Sequence, residues 1–302
     1  MTRSAIKRVT PQPGRSPDEA RALAQRLADD FESTAVERDS RGGAPKRERD
    51  LLRQSGLLSL SIPHELGGWG ASWSEVLDVV RIFARSDGSL AHVFGFQHLM
   101  LATARLFGRR EQWQPLFEGT VQNSWFWGNA LNPLDARTSL IRRDGALFIN
   151  GQKSFCSGAR DSDMLIVSAL RPPEPRLAVV AIPTSRDGVI VHGDWDNIGQ
   201  RQTDSGSVEL RNVSIDASEL PALSDAVESP GEASYSSEAL DRFALLATEL
   251  RRLRAHVGDP LLDVVRRIID TTGVDVELAS ATSPAASARR DNLDLFVKEV
   301  AE

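Results

Sequence analysis

The chain has a single cysteine, Cys156, among its 302 residues. One cysteine excludes an internal disulfide framework and a zinc site built from cysteines. No apolar run approaches the ~20 residues that a membrane-spanning helix needs. The basic N-terminus, MTRSAIKRV, is not followed by the apolar stretch of a secretory signal. Together these absences predict a cytoplasmic protein with no membrane partner.

Acidic residues outnumber basic ones, with 42 Asp and Glu residues against 36 Lys and Arg residues, which gives a net charge of −6. This balance argues against nucleic acid as the main partner. The dipeptide Gly-Lys does not occur, so the chain has no phosphate-binding loop of the Gly-x-x-x-x-Gly-Lys-Ser/Thr type and cannot hydrolyse ATP by that route. No segment resembles a nicotinamide-binding fingerprint.

Helix signals dominate the first 120 residues or so. The segments Ser16–Glu19 and Ser72–Glu75 are capping boxes, in which a serine precedes a glutamate by three residues. Apolar residues follow each box at helical spacing. Two further helices are predicted at about residues 46–55 and 89–107, and each is followed by a glycine that favours a helix end.

The pattern then changes to short β-rich runs separated by Gly, Pro and Asp, and helical patterns return near the C-terminus. The predicted helices there cover about residues 240–256, 259–273 and 283–302. The fold class is therefore α+β, with an N-terminal helical domain, a middle antiparallel β domain, a linker and a short C-terminal helical segment. The predicted divisions are a flexible arm at 1–15, the helical domain at 16–123, the β domain at 124–215, the linker at 216–237 and the helical tail at 238–302.

Three segments carry a family resemblance. IPHELGGWG (62–70), NGQKSFCSGARDSD (150–163) and IGQRQTDSGSVELRNVSI (198–215) occur in the order and at the spacing of the acyl-CoA dehydrogenase superfamily. About residues 15–220 resemble that superfamily, and the resemblance implies its helical and β domains with a flavin site between them.

Within the superfamily, the chain resembles the flavin-dependent monooxygenase branch, that of dibenzothiophene monooxygenase and its sulfone-handling relatives. This likeness rests on SDGSLAHVFGF (86–96), NSWFWGNA (123–130), FCSGA (155–159) and RQTDSGS (201–207). The dehydrogenases have a Thr-Glu-Pro motif where residues 129–135 read NALNPLD, which argues against a CoA thioester as the substrate.

The resemblance implies a two-component monooxygenase that uses O₂ and reduced FMN, with FAD as the alternative. A separate flavin reductase and a small, organosulfur-type substrate would be its partners. The resemblance is also compatible with a homo-oligomer. One competing interpretation is an FAD-dependent acyl-CoA dehydrogenase. Another is a truncated, non-enzymatic chimera, because the family's C-terminal helical bundle is missing and residues 239–302 resemble a fragment of UvrD-type DNA helicases.

Two candidate catalytic residues precede the β-rich runs or begin them. His92 lies four residues before Phe96, so both share one helix face, which the resemblance directs at the flavin. His92 could donate a hydrogen bond there or move a proton, and the alternative is a polar residue satisfied at a helix–sheet contact. Asn129 could hold an oxygen atom or the substrate, and the alternative is a turn residue.

The other candidates follow from the same resemblance. Lys153, Phe155 and Ser157 would share one face of a strand, and Ser157 takes the position of a hydroxyl that bonds flavin N5. Cys156 would point the other way, as a core thiol rather than a nucleophile. The predicted catalytic residues are His92, Asn129 and Ser157, the predicted cofactor-binding residues are Phe96, Trp127, Gly128, Asn129, Ala130, Lys153, Phe155 and Ser157, and no metal is predicted.

Overall fold

The computed structural model describes residues 16–133, 135–172, 176–216 and 219, and in the C-terminal part residues 248, 252, 256, 259–272, 276, 290–291, 293–295 and 297–298. Contacts divide the chain into two units, Met1–Leu223 and Ser224–Glu302. The first unit contains a helical layer followed by a curled sheet, which confirms the predicted α+β class.

Six helices form the N-terminal layer of the first unit. They are α1 Pro17–Glu32, α2 Ala35–Arg41, α3 Lys46–Ser55, α4 Trp73–Ser86, α5 Gly88–Phe107 and α6 Arg110–Asn123, with short 3₁₀ turns at Leu57–Ser59 and His64–Leu66. The sequence did not predict α2 or α6. The first is only seven residues long, and the second contains Pro115, a residue that normally disfavours a helix interior.

Both predicted capping boxes are confirmed at the helix starts. At α1, the Ser16 amide donates to Glu19 Oε2 at 2.8 Å and the Glu19 amide donates to Ser16 Oγ at 3.2 Å. At α4, the Ser72 amide donates to Glu75 Oε2 at 2.7 Å, and the reciprocal bond measures 3.4 Å. These bonds satisfy amide groups that a helix start leaves without backbone partners.

Removing one of these caps should have a modest, measurable cost. We expect Ser72→Ala to lower the free energy of unfolding by about 1 kcal/mol, because the Glu75 amide loses its acceptor. Urea denaturation followed by circular dichroism measures the change. Ser74→Ala is the matched control, since Ser74 is exposed within the same helix and caps nothing. Equal losses in the two variants would contradict a role for the cap.

Seven strands form one curled sheet in the order β1-β4-β2-β3-β7-β6, with β5 also paired to β4. Their bounds are β1 Trp127–Ala130, β2 Thr138–Arg143, β3 Ala146–Lys153, β4 Met164–Arg171, β5 Arg176–Pro183, β6 Val189–Val191 and β7 Val208–Ile215. Four of the six pairings are antiparallel, as predicted. The pairings of β4 with β1 and β2 are parallel, so the sheet is mixed. The segment between β1 and β4 contains the β2–β3 hairpin and returns the chain to the same end of the sheet.

The helical layer and the sheet share a buried apolar core. One face of the sheet packs against α5 and α6 through Met100, Phe117, Trp127 and Ile166, all at most 3% exposed. A second cluster fills the helical layer, and a third covers the other face of the sheet. Because the helices and the sheet bury each other's apolar surface, residues between them have fixed positions.

In the C-terminal part, the predicted helix that begins after Pro260 is confirmed as α7 Leu261–Thr272. The predicted helices at 240–256 and from 283 onward, the arm at 1–15 and nearly all of the linker at 216–237 lie outside the described residues. Within the described part of the chain, no helix combines the length and apolar character needed to cross a bilayer.

Candidate functional site

A cavity of about 580 Å³ lies where α5 meets the end of β1 and two loops of the β domain. Five of the predicted site residues line it, and four do not. The lining residues are His92, Phe96, Asn129, Leu131, Asn132, Phe155, Ser157, Trp195, Asn197, Ile198, Gly199, Gln200, Thr203 and Ser205.

The α5 wall of the cavity is a stacked pair of rings. The imidazole of His92 and the ring of Phe96 lie 4.4 Å apart between centroids, with 17° between their planes. This geometry agrees with the helical spacing of four residues, which places both side chains on one face. Burial lowers the pKa of His92 below its usual 6.5. The ring is therefore neutral at pH 7, with one nitrogen that donates and one that accepts.

A chain of hydroxyl groups runs from His92 into the β domain. His92 Nε2 lies 3.0 Å from Ser157 Oγ, which lies 2.8 Å from Ser205 Oγ. Ser205 Oγ lies 2.7 Å from Thr203 Oγ1, and Thr203 Oγ1 donates to the carbonyl oxygen of Gln200 at 2.9 Å. Thr203 and Ser205 are not among the residues predicted for the site. The signal was present in RQTDSGS, where the two hydroxyl residues stand two positions apart.

Asn129 shapes the loop that carries Ser157. Its amide N–H donates to the carbonyl oxygen of Ser157 at 3.0 Å, and its side-chain Nδ2 donates to that of Phe155 at 3.3 Å. Its Oδ1 accepts from the Leu131 amide at 2.9 Å. Asn129 therefore sets the position of the loop backbone as well as lining the cavity.

The prediction that Lys153, Phe155 and Ser157 share one strand face is wrong. The strand β3 ends at Lys153, and Phe155 has a φ of 58°, in the left-handed region, so the alternation of a strand does not continue. The Phe155 ring is 62% exposed and meets Trp195 edge-on, with 6.0 Å between ring centroids. Ser157 is buried and faces His92.

Lys153 serves the scaffold rather than the cavity. Its side chain is 1% exposed, and Nζ donates to the carbonyl oxygens of Asn132 at 2.9 Å and Asp135 at 2.6 Å. Burial lowers the pKa of this lysine. The predicted contact between Lys153 and a cofactor is therefore not supported, because its donors already fix the turn that leaves β1.

The side chains at the start of β1 also point away from the cavity. Trp127 is fully buried, and its Nε1 donates to Thr120 Oγ1 on α6 at 2.9 Å, so it belongs to the core and cannot stack on a ring in the cavity. A Cβ at Gly128 would lie 2.8 Å from the Ala159 Cα, so the glycine allows close packing of the chain itself rather than of a ligand. Ala130 is buried in the sheet.

Cys156 is a core thiol, as predicted. Its side chain is 1% exposed and packs in the sheet cluster, while its backbone N–H donates to the Gly206 carbonyl at 2.9 Å. Burial raises the pKa of the thiol to about 12. A thiol with this pKa is almost never ionised at neutral pH and is a poor nucleophile.

A second cavity of about 710 Å³ lies between α6 and strands β4 and β5. Its walls include Trp113, Trp125, Met164 and Val179. None of the predicted site residues lines it, so it is separate from the His92 cavity.

Similarity to known proteins follows the same two layers. The sequence model of the acyl-CoA dehydrogenase N-terminal domain matches residues 17–123, and that of the middle domain matches residues 129–213. Over 205 residues, the chain is 59% identical to the probable FMNH₂-dependent monooxygenase SfnC of Pseudomonas putida, covering 68% of this chain and 52% of the relative. Dibenzothiophene monooxygenase of Rhodococcus qingshengii is 44% identical over 209 residues, with 66% of this chain and 50% of the relative covered.

A solved structure shows the same architecture. Methanesulfinate monooxygenase MsuC from Pseudomonas fluorescens is 44% identical, with a TM-score of 0.67 and coverage of 92% of this chain and 72% of that one. The chain spans about half the length of the curated relatives named above. With both domain models matched and this relative covered by more than two thirds, the chain belongs to the acyl-CoA dehydrogenase family.

Proposed function

We propose that this chain provides the ring-binding side of a flavin-dependent monooxygenase that uses reduced FMN and O₂ on a small organosulfur compound. The observation that carries the proposal is the cavity that brings His92, Ser157 and Asn129 together beside Phe96. The names of the relatives support the same chemistry, since SfnC is a probable FMNH₂-dependent monooxygenase and MsuC a methanesulfinate monooxygenase.

The residues of the cavity fit a flavin ring. Its volume lies within the range of about 300–1,000 Å³ that is usual for small-molecule sites. Phe96, Phe155 and Trp195 provide apolar walls for a flat ring system, while His92 and Ser157 provide polar atoms at one edge. None of the described lining residues is Lys or Arg, so these residues supply no cation to the FMN phosphate.

In the proposed mechanism, the cavity would hold reduced FMN, which when bound would supply the electrons for the activation of O₂. The neutral His92 ring forms a hydrogen bond with Ser157, and its Nε2 can hold or transfer a proton. Asn129 keeps the Ser157 loop in place, and the second hydrogen of its side-chain Nδ2 can donate to the substrate. The aromatic walls give the ring an apolar surface on one side of the cavity. A separate reductase delivers the reduced FMN.

Anaerobic titration of the purified chain with reduced FMN tests the proposal. We expect weak binding, because the described residues enclose the ring on one side only. Ser157→Ala and Asn129→Ala should each weaken it about fivefold or more, the loss that corresponds to one hydrogen bond. Cys156→Ser should leave the dissociation constant unchanged, because the thiol faces the sheet core. Equal binding by wild type and both cavity variants would contradict the proposal, and tighter binding of FAD would correct the cofactor.

The competing interpretations lead to different outcomes. Oxidation of an acyl-CoA thioester has no support from the segment after β1, which lacks the dehydrogenase motif. The helicase-like tail, the chimera, the domain boundaries, the cytoplasmic location and a homo-oligomer stay predictions. For the tail, α7 is the one helix that the structure describes at length.

A further inference from the structure

The hydroxyl chain of the cavity ends on a group whose role is fixed. The carbonyl oxygen of Gln200 can only accept hydrogen bonds, and Thr203 Oγ1 lies 2.9 Å from it. Without a proton between them, the two oxygens would bring lone pairs into contact at this distance. Thr203 must therefore donate its only hydroxyl proton to Gln200.

That donation sets the direction of every other bond in the chain, because each hydroxyl has one proton to give. Thr203 Oγ1 donates its hydrogen to Gln200, so it accepts a hydrogen bond from Ser205 Oγ at 2.7 Å. Ser205 therefore donates its own hydrogen to Thr203 and accepts a hydrogen bond from Ser157 Oγ at 2.8 Å. Ser157 in turn accepts from His92 Nε2 at 3.0 Å. The neutral His92 ring is thus protonated at Nε2 and unprotonated at Nδ1.

Ser157 consequently has no proton left for a ligand. Its oxygen has two lone pairs, of which His92 occupies one, so one acceptor position remains at the cavity wall. We propose that Thr203 and Ser205 are positioning residues that hold Ser157 as a hydrogen-bond acceptor, so that the cavity selects ligands that bring an N–H or O–H donor to this oxygen.

For a flavin, this selection distinguishes the two redox states, an inference that rests on the proposed function. At the position beside Ser157 that the family resemblance implies for N5, reduced flavin would have a hydrogen that it can donate to Ser157 Oγ. Oxidised flavin has a lone pair on N5, which would face the lone pair of Ser157. The chain of hydroxyls therefore favours reduced FMN and disfavours its oxidised form at the same position.

Thr203→Val removes the hydroxyl group that sets the direction of these hydrogen bonds, with little change in the shape of the side chain. The methyl group that replaces the hydroxyl cannot accept from Ser205, whose proton becomes free to turn toward Ser157. Ser157 can then offer its own proton to the cavity. The Gln200 carbonyl stays satisfied, because Trp195 Nε1 donates to it at 2.9 Å and the residue 203 amide at 3.2 Å. Thr203→Ser keeps the hydroxyl and is the matched control.

The first measurement uses the ligand-free protein with ¹⁵N-labelled histidine. The chain has five histidines, and the resonances that are lost in His92→Gln assign His92. Nitrogen chemical shifts distinguish the two tautomers, and we expect the Nε2–H form in the wild type and in Thr203→Ser. In Thr203→Val we expect a mixture of both forms. A wild-type His92 in the Nδ1–H form would overturn the proposal.

The second measurement compares the dissociation constants of oxidised and reduced FMN by anaerobic fluorescence titration. We expect the wild type and Thr203→Ser to prefer reduced FMN by at least about fivefold, the ratio for one hydrogen bond. In Thr203→Val the ratio should fall toward one. An unchanged ratio in Thr203→Val would overturn the proposal. Failure of the wild type to bind either form would contradict the proposed function, and the His92 tautomer would then decide the proposal alone.

Discussion

Arg38→Met should lower the free energy of unfolding by about 3–5 kcal/mol, because it leaves the buried Asp87 carboxylate without its cation and removes one of the two cations beside buried Glu48, where Arg47 stays. The Arg38 side chain is 2% exposed, with Nη1 2.6 Å from Asp87 Oδ2 and Nε 3.4 Å from Glu48 Oε1. Arg38 Nη1 also donates to Gln202 Oε1 at 3.0 Å, and Gln202 Nε2 donates to the Arg38 carbonyl at 2.9 Å. The same side chain therefore joins α2, α3 and the junction of α4 and α5 to the loop that carries Thr203.

Urea denaturation at pH 7 measures this loss, and Arg41→Ala is the control from the same helix. Arg41 is 63% exposed, and its nearest carboxylate, on Glu37, is 3.7 Å away. A surface pair of this kind contributes less than about 0.5 kcal/mol. If Arg38→Met cost no more than Arg41→Ala, the buried ion cluster would not be a main source of stability.

Phe83→Ala should be about as damaging, with a loss of about 3–5 kcal/mol from a cavity in the helical core. The Phe83 ring is fully buried between Phe31, at 5.6 Å between centroids, and Phe94, at 5.0 Å in an edge-on contact. The three rings come from α1, α4 and α5, so the substitution loosens the contact among all three helices. The melting temperature and the urea concentration at the midpoint of unfolding should both fall.

Phe155→Ala is the matched control, because it removes the same ring from an exposed position. Phe155 is 62% exposed, and we expect its removal to change the free energy of unfolding by less than about 0.5 kcal/mol. Similar losses in the two variants would mean that the Phe155 loop contributes to folding as well as to the cavity.

The helices that the sequence predicted are those with local signals. The serine and the glutamate that cap α4 are three residues apart, so the sequence alone contains the whole hydrogen-bonded unit. The stacking of His92 on Phe96 follows from helical spacing in the same way. The parallel pairing of β1 with β4 depends instead on how the 33 residues between Ala130 and Met164 return, and no local pattern specifies that return.

The site was predictable only where it lies on regular structure. Thr203 and Ser205 reach Ser157 because the loop that carries them is held by Arg38, more than 160 residues away along the chain. Phe155 does not lie on the predicted strand face, because its backbone has a left-handed conformation that is unusual for a bulky residue. Long-range contacts determine both features, and such contacts cannot be predicted from a single sequence.

The burial of Cys156 has a chemical consequence for any oxidising reaction in the cavity. Both chain neighbours of this cysteine line the cavity, yet its sulfur packs in the sheet core on the other side of the loop. With a pKa of about 12, the thiol is almost entirely protonated, and peroxides react with the thiolate. An oxidant released beside Ser157 therefore meets no reactive sulfur at that point of the wall, and the chain's single thiol is protected from conversion to sulfenic acid.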